Sequence, residues 1–316
     1  YLEGHKKSPL EVRVKPPRGW RIATGLERKS KNVFRAPDYD TLVDSPMEIG
    51  NFHGLTFKSG GKNHSIVIDG EGNYDEKKVT HDVKKIVDYT SKMMGDMPYR
   101  DYLFLLHALP DLRGGLEHRN SSSLQYPSFR FRKKQEYESF LNLVTHEYFH
   151  TWNGKRIHPE SLGPFDYEKE VYTALLWVME GVTCHYESLI PTRAKLFSPE
   201  DYLRILNGRI VRFLSKPGRH YQSLEESSFD TWIKLYQPSD NSVNSQISYY
   251  EKGALVSLML DLEIRQRSKN RKSLDDVMRE LYHEYGSRGM GYPDGAFREI
   301  CEQLSGGSLA EFFREY

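Results

Sequence analysis

The order of hydrophobic patterns is the feature that most constrains the fold of this chain. In the first third, Leu10, Val12 and Val14 alternate with charged residues, and the apolar run at 65–68 follows a glycine turn at 60–61. From about residue 135 onward, apolar residues instead recur at helical spacing. The predicted helices are 136–152, 171–190, 199–215, 248–268, 273–285, 294–304 and 308–316. Strands followed by helices predict an α+β fold.

Composition narrows the possible partners of the chain. At 316 residues with 38% hydrophobic content, the chain can bury the core of one large domain or two ordinary ones. A net charge of +1 provides no overall field for nucleic acid or anionic membranes, and no apolar stretch is long enough for a membrane span. Only Cys184 and Cys301 are present, which excludes a disulfide scaffold. We therefore expect no nucleic-acid partner and no membrane insertion.

A pair of histidines four residues apart is the strongest chemical motif. His146 and His150 share one face of a helix, where two imidazoles can bind a single ion. Glu147 lies next to His146 and can serve as the base that removes a proton from a nearby water. The preceding two turns carry an apolar face made by Tyr137, Phe140, Leu141 and Val144. The motif therefore predicts a zinc site at the end of an amphipathic helix.

A catalytic zinc site usually has three protein ligands and one open position. Three downstream acids are candidates for the third ligand: Glu168, Glu170 and Glu180. Glu180 lies in an apolar segment, where a carboxylate is costly unless a cation compensates its charge. Glu168 and Glu170 lie in a polar segment at a predicted helix start, where the helix dipole already favours acids. Glu180 is accordingly the favoured ligand, and the other two stay open.

Two further segments could contact a substrate. Glu117 follows Gly114 and Gly115, and these glycines would let a backbone approach closely, although an exposed acid in a loop explains Glu117 equally well. Downstream, two adjacent phenols, Tyr249 and Tyr250, open an apolar helix, and a phenol can donate a hydrogen bond to the oxyanion of a tetrahedral intermediate. Because the chain has 21 tyrosines, this signal is weak alone.

Five ordered motifs make the chain resemble a known family. They are GGLEHRNSS, HEYFHTWNGKRI, GPFDYEKE, LWVMEG and YYEKGA. Their order resembles the glycyl aminopeptidase family, M61-type zinc metallopeptidases of the gluzincin class, which are related to the alanyl-aminopeptidase and leukotriene A4 hydrolase group. The resemblance covers roughly residues 36–316 and implies Glu180 as the third zinc ligand. It also implies that Tyr250 stabilises the transition state and that Glu117 binds the free amine of the substrate.

The resemblance implies a domain layout as well. The expected fold is a thermolysin-like gluzincin catalytic domain over 49–316, preceded at 1–48 by the end of an N-terminal β-domain. Within it, a small sheet lobe at 49–160 would carry the zinc helix, and a mostly helical lobe would cover 161–316. A PDZ domain is expected after residue 316. Two departures from the family pattern are Tyr148, where Phe is expected, and His158, where Arg is expected.

The implied activity is that of an aminopeptidase with one zinc ion. It would remove small N-terminal residues, with glycine or alanine preferred, from peptides that have a free N-terminus, and Glu147 would activate the attacking water. Two alternatives are a zinc endopeptidase of the same fold and a non-catalytic peptide-binding module. The expected location is open between cytoplasm and periplasm, and the oligomeric state is open too.

Overall fold

The computed structural model describes residues 2–316, which form a mixed α+β structure with ten strands. The strands are β1 (Leu10–Arg13), β2 (Arg21–Thr24), β3 (Glu27–Ser30), β4 (Val33–Ala36), β5 (Met47–Gly50), β6 (His53–Ser59), β7 (Lys62–Asp69), β8 (Asp101–Leu109), β9 (Gly114–Glu117) and β10 (Ser121–Pro127). All of them precede the helix that carries the histidine pair. The expected predominance of helices after about residue 135 is confirmed, whereas two helices, Tyr39–Val43 and Glu76–Met94, lie among the strands.

Eleven α-helices lie in the same described residues. They are α1 (Tyr39–Val43), α2 (Glu76–Met94), α3 (Lys134–Phe149), α4 (Val182–Arg193), α5 (Pro199–Leu214), α6 (Leu224–Phe229), α7 (Ser242–Ser245), α8 (Tyr249–Arg267), α9 (Leu274–Glu284), α10 (Ala296–Ser305) and α11 (Ala310–Glu315). A π-helical turn, Trp177–Gly181, leads directly into α4. None of the described helices combines the length and the apolar character needed to cross a membrane.

Backbone contacts divide the chain into two compact units. The first contains the described residues up to Tyr89 together with Met97–Thr151. The second contains Thr90–Asp96 and Trp152–Tyr316. The histidine pair therefore belongs to the first unit, and Glu180 and Tyr250 belong to the second. The domain boundaries at 48/49 and 160/161 that the sequence suggested stay predictions.

The main sheet of the first unit has five strands in the order β6-β7-β8-β10-β9. Strands β7, β8 and β10 run parallel, whereas β6 and the edge strand β9 are antiparallel to their neighbours. The β6–β7 turn is built by Gly60 and Gly61, whose φ angles of 54° and 78° are the left-handed values that glycine tolerates. The predicted hairpin at this turn is confirmed.

Two smaller sheets occupy the start of the chain. One has the order β1-β4-β3, and the other pairs β2 with β5. They enclose a small core formed by Ile22, Leu26, Phe34 and Ala36. The strands expected at the start of the chain are confirmed, but a short helix, Tyr39–Val43, lies between β4 and β5.

Aromatic side chains hold helix α3 on the main sheet. The ring centroid of Phe140 lies 5.4 Å from that of Tyr126 on β10. One residue before the end of the helix, the ring of Tyr148 lies 5.0 Å from that of Tyr102 on β8. Both contacts bury large apolar surfaces, and such surfaces dominate core stability. The end of the helix that carries the histidines is thereby packed against the sheet.

Helices dominate the second unit, and sequence signals mark their ends. Helix α5 begins at a capping box in which Ser198 and Asp201 each bond the other's backbone N–H, with Pro199 in the first turn. Helix α10 ends at Gly306, which has a φ of 80°. The predicted helices after residue 198 are confirmed to within two residues at each end.

The predicted helix 171–190 is wrong over its first quarter. Residues 171–175 are not helical, and the regular α-helix begins only at Val182, after the π-helical turn. Tertiary contacts replace the local ones here, because the carbonyl of Val171 accepts a hydrogen bond from the indole of Trp232 at 3.0 Å. In addition, the ring of Tyr172 lies 5.3 Å from that of Phe229.

Candidate metal centre

The two histidines of the HExxH motif meet in the last turn of α3. The Nε2 atoms of His146 and His150 are 3.1 Å apart, and their rings meet edge to face at a centroid distance of 4.7 Å. His150 is almost completely buried, at 1% exposure. In the neutral tautomer that carries its proton on Nδ1, each Nε2 has a free lone pair, and the two lone pairs can then bind one cation.

The separation of these nitrogens fits a single metal ion. Two nitrogen ligands of one tetrahedral zinc ion lie about 3.3 Å apart, given zinc–nitrogen bonds of about 2.05 Å. The observed 3.1 Å between the two imidazoles is close to that value. Imidazole also suits several first-row transition metals, so the pair defines a metal-binding geometry more firmly than it defines the metal.

Glu147 is fixed by the edge strand β9. A Cβ atom built on Gly115 would overlap the carboxylate of Glu147, whereas one built on Gly114 would meet nothing within 4 Å. The side chain of Glu147 is itself 4% exposed. The close backbone approach that the sequence predicted for the two adjacent glycines therefore occurs at Gly115. Only a residue without a side chain lets the strand pass this close to the proposed base.

A cluster of negative charge surrounds the same point. Glu117, Glu147 and His150 each offer one ligand atom, and these atoms lie within 4.8 Å of one another. Glu117 is the last residue of β9 and pairs with Ser122 on β10. Two carboxylates and an imidazole at this distance attract a cation, either a metal ion or an ammonium group.

The loop that follows Glu117 is tied to the N-terminal sheets. The Asp44 carboxylate lies 3.3 Å from Nδ1 of His118 and accepts a hydrogen bond from the backbone N–H of Arg119 at 2.8 Å. The side chain of Asn120 donates to the carbonyl of Gly25 at 2.8 Å. These bonds fix the end of β9, and with it the position at which Glu117 leaves the strand.

In the second unit, Glu180 lies on the π-helical turn Trp177–Gly181. Side chains from outside the turn satisfy its carbonyls: the amide nitrogen of Asn153 donates to Val178 at 2.9 Å and to Met179 at 2.7 Å. Single π-helical turns inside α-helices are rare and often occur at functional sites. The turn is thus shaped by hydrogen bonds from a residue 27 positions before Glu180.

The backbone of α8 lies directly against this turn. A Cβ atom on Gly181 would be 2.5 Å from the Cα of Gly253, and one on Gly253 would be 2.9 Å from the Cα of Gly181. Neither residue can carry a side chain without moving backbone. The two glycines therefore set the distance between the turn with Glu180 and the first turn of α8, which contains Tyr250.

The environment of Tyr250 keeps its hydroxyl protonated. Burial raises the pKa of Tyr250 far above its ordinary value, and the negative charge of Glu180 raises that pKa further. The stacked ring of Tyr249 lies 4.6 Å away. A phenol that resists ionisation remains a hydrogen-bond donor at neutral pH, which is the property required for stabilising an oxyanion.

The structure thus sorts the residues predicted for the site. In the first unit it brings together His146, His150, Glu147 and Glu117, and in the second unit Glu180 acts on Tyr250. The alternative ligands Glu168 and Glu170 are exposed on an irregular segment. The sequence-based reasoning missed three residues that shape these segments: Asn153, Gly181 and Gly253. The only available signal was a glycine within each helical pattern.

Comparisons with known proteins agree with this fold. Residues 1–51 match the family model of the peptidase M61 N-terminal domain, and residues 139–256 match that of the M61 glycyl aminopeptidase. An aminopeptidase N family protein from Idiomarina loihiensis has a similar structure, with 35% sequence identity and a TM-score of 0.95. The match covers 99% of this chain and 56% of that chain. No curated protein matches the sequence.

Fold and sequence together define an aminopeptidase-like structure. The chain belongs to the M61 glycyl aminopeptidase family. It spans little more than half the length of the Idiomarina loihiensis protein that it resembles.

Proposed function

We propose that this protein is a zinc-dependent aminopeptidase that removes small N-terminal residues, glycine or alanine by preference, from peptides. One observation carries the proposal: Glu117 and Glu147 offer carboxylate oxygens within 4.8 Å of each other and of His150. A base beside a metal-binding imidazole suits peptide hydrolysis, and a second acid at the same point suits a substrate that carries a free ammonium group. Family membership supports the same reaction class.

The proposed metal site consists of His146, His150 and Glu180 around one zinc ion. Two imidazoles and one carboxylate are a common ligand set for catalytic zinc with an open fourth position. When bound, zinc supplies positive charge that polarises the scissile carbonyl and acidifies a nearby water. The 3.1 Å between the imidazole nitrogens supports this assignment.

The side chains of the protein then divide the proton transfers among them. Glu147 takes a proton from the attacking water and delivers it to the nitrogen of the leaving amine. Tyr250 donates a hydrogen bond to the former carbonyl oxygen as negative charge develops on it. Its raised pKa supports the donor role, because the proton stays on the phenol throughout.

Glu117 gives the enzyme its preference for chain ends. A substrate ammonium near Glu117 would form a charge-assisted hydrogen bond and would place the first peptide bond at Glu147. Membership of the glycyl aminopeptidase family supports a preference for small first residues. We further propose that the fold is a thermolysin-like gluzincin catalytic domain, supported by an HExxH helix packed on a mixed sheet.

A comparison of free and blocked substrates tests the aminopeptidase assignment. Glycyl and alanyl p-nitroanilides should be hydrolysed, and their N-acetylated forms should react at least about 100-fold more slowly, because the ammonium contact is worth about 3 kcal/mol. The variant Glu117→Gln should lose most of this discrimination. Equal turnover of free and acetylated substrates by the wild type would instead identify an endopeptidase.

The isosteric variant Glu147→Gln tests whether the protein catalyses at all. It should keep its zinc and lose about 10³-fold in kcat, because the amide cannot take the proton of the attacking water. Zinc is measured by mass spectrometry on the same samples. A wild type that binds zinc but is as inactive as Glu147→Gln would point to a non-catalytic peptide-binding module.

A further inference from the structure

Three tyrosine hydroxyl groups meet at the start of α8. The hydroxyl of Tyr236 lies 3.2 Å from that of Tyr250 and 3.4 Å from that of Tyr249. Tyr249 is buried at 2% exposure, whereas Tyr236 is 54% exposed. A chain of phenols therefore runs from the interior of the second unit through Tyr236 to the proposed oxyanion donor.

The number of hydroxyl protons determines which tyrosine donates and which accepts in each of these hydrogen bonds. A phenol has one proton to donate, so Tyr250 cannot donate to Tyr236 and to a substrate oxygen at once. When Tyr250 donates to the substrate, Tyr236 must be the donor of the 3.2 Å bond. Tyr236 then has no proton left for Tyr249, and Tyr249 becomes the donor of the 3.4 Å contact. Each hydroxyl donates once, in the order Tyr249, Tyr236, Tyr250 and substrate.

We propose that Tyr236 is a positioning residue, which donates its hydrogen bond to Tyr250 and so directs the proton of Tyr250 toward the substrate oxygen. The inference rests on the proposed function, in which Tyr250 stabilises the oxyanion. A hydroxyl that accepts one hydrogen bond becomes a stronger donor in the next, because the bonds polarise each other. The effect belongs to the transition state, where the negative charge on the substrate oxygen is largest.

The segment that carries Tyr236 is fixed at several points. Tyr236 lies between α6 and α7, and its backbone N–H donates to the carbonyl of Thr231 at 3.1 Å. Four residues earlier, the indole of Trp232 donates to the carbonyl of Val171 at 3.0 Å. These bonds hold the phenol in place although more than half of its surface faces solvent. Its exposed oxygen can also accept hydrogen bonds from water.

The test is the variant Tyr236→Phe, which removes only the hydroxyl group. Turnover of a glycyl or alanyl p-nitroanilide should fall about 10-fold in kcat with KM within about 2-fold, as expected for loss of one neutral hydrogen bond in the transition state. Binding of a phosphinic dipeptide, a tetrahedral analogue of the transition state, should weaken by the same factor. Zinc content and Tm should match the wild type. Tyr221→Phe, at a 76% exposed tyrosine of the same unit, serves as the control.

A double-mutant cycle separates this inference from the proposed function. Tyr250→Phe should lose about 10²-fold or more in kcat, and adding Tyr236→Phe to it should cost nothing further, because the two hydroxyls act in series. If Tyr250→Phe is impaired but Tyr236→Phe is as active as the wild type, the inference is wrong and the oxyanion donor stands. Additive losses would also overturn the inference. Full activity of Tyr250→Phe would overturn both assignments.

Discussion

The two segments that carry the proposed zinc ligands differ in how their shape is determined. Helix α3 is regular, and the period of the helix alone places His146 and His150 on one face. The turn Trp177–Gly181 is π-helical, and distant residues hold it: Asn153 bonds its carbonyls and Gly253 lies against its backbone. One ligand pair is thus encoded locally, and the third ligand depends on tertiary contacts.

This difference has a consequence for mutation. In α3, changes that keep the helix should keep the two imidazoles together, because adjacent turns set their spacing. At the π-helical turn, changes far from Glu180 in sequence should disturb it, because Asn153 bonds its carbonyls and Gly253 packs against its backbone. The following predictions test this contrast, from the largest expected effect to the smallest.

The largest effect is expected from removal of a ligand in either segment. His150→Ala and Glu180→Ala should each lose bound zinc and more than about 10³-fold in kcat/KM, since the metal supplies several kcal/mol of transition-state stabilisation. Zinc content and turnover measured together check this, and Glu168→Ala, at an exposed acid, is the control. Retention of zinc by Glu180→Ala would return the third ligand to the open candidates.

In the first unit, Gly115→Ala should displace the proposed base. The added methyl would overlap the carboxylate of Glu147, and a shift of about 1 Å in a reacting group can cost about 10²-fold in rate. We expect a loss of that size in kcat with bound zinc retained. Gly54→Ala, at a strand glycine with no atom within 4 Å of the new Cβ, should behave as the wild type. Normal turnover by Gly115→Ala would mean that Glu147 moves without penalty.

In the second unit, Gly181→Ala should lower the free energy of unfolding by about 3 kcal/mol, the upper end of the usual cost of overpacking. The new Cβ would lie 2.5 Å from backbone of α8, which cannot rotate away. The matched control is Gly208→Ala within α5, where the new Cβ meets only the flexible end of Arg212 at 3.4 Å. That change should stabilise the protein by about 0.5–1 kcal/mol. Urea unfolding distinguishes the two variants. Similar midpoints for both would contradict the close approach of the π-helical turn to the backbone of α8.

A buried histidine of α4 should make the second unit sensitive to acid. Burial lowers the pKa of His185 from 6.5 to about 4. Neighbouring charges change this pKa by smaller amounts; they belong to Asp261, Arg193, Arg209 and Asp275. The folded form therefore stays neutral where the unfolded chain already binds a proton. Stability at neutral pH should fall as the pH drops from 6.5 to about 4. His185→Phe should flatten this slope in pH-dependent thermal melts, and an unchanged slope would assign it to other groups.

The smallest effect is expected from Tyr148→Phe in the histidine helix. The hydroxyl of Tyr148 hydrogen-bonds that of Tyr99, which in turn lies 2.9 Å from Nε2 of His64. Its loss should cost about 1 kcal/mol of unfolding free energy, with zinc binding and turnover unchanged, because Phe keeps the ring packing. Chemical unfolding with zinc analysis measures both. A loss of zinc in this variant would show that the hydrogen bond between Tyr148 and Tyr99 orients the imidazoles.

Much of the fold was predictable because its signals are short-range. The glycine turn at 60–61 and the apolar run at 65–68 predicted the β6–β7 hairpin, and apolar residues at helical spacing predicted the helices after residue 198. The error at 171–175 arose where the side chains of Trp232 and Phe229 contact the chain. Periodicity cannot include a hydrogen bond from a residue 61 positions away in the sequence.

The sequence by itself determined the spacing of the histidine pair, the acid next to it and the predominance of helices after about residue 135. Those features depend on helix period and local caps, which are properties of neighbouring residues. Only the tertiary structure decided that Glu180 lies on a π-helical turn against α8, and that Gly115 rather than Gly114 meets Glu147. The physical reason is that such close backbone approaches join segments distant in sequence, where local propensity has no influence.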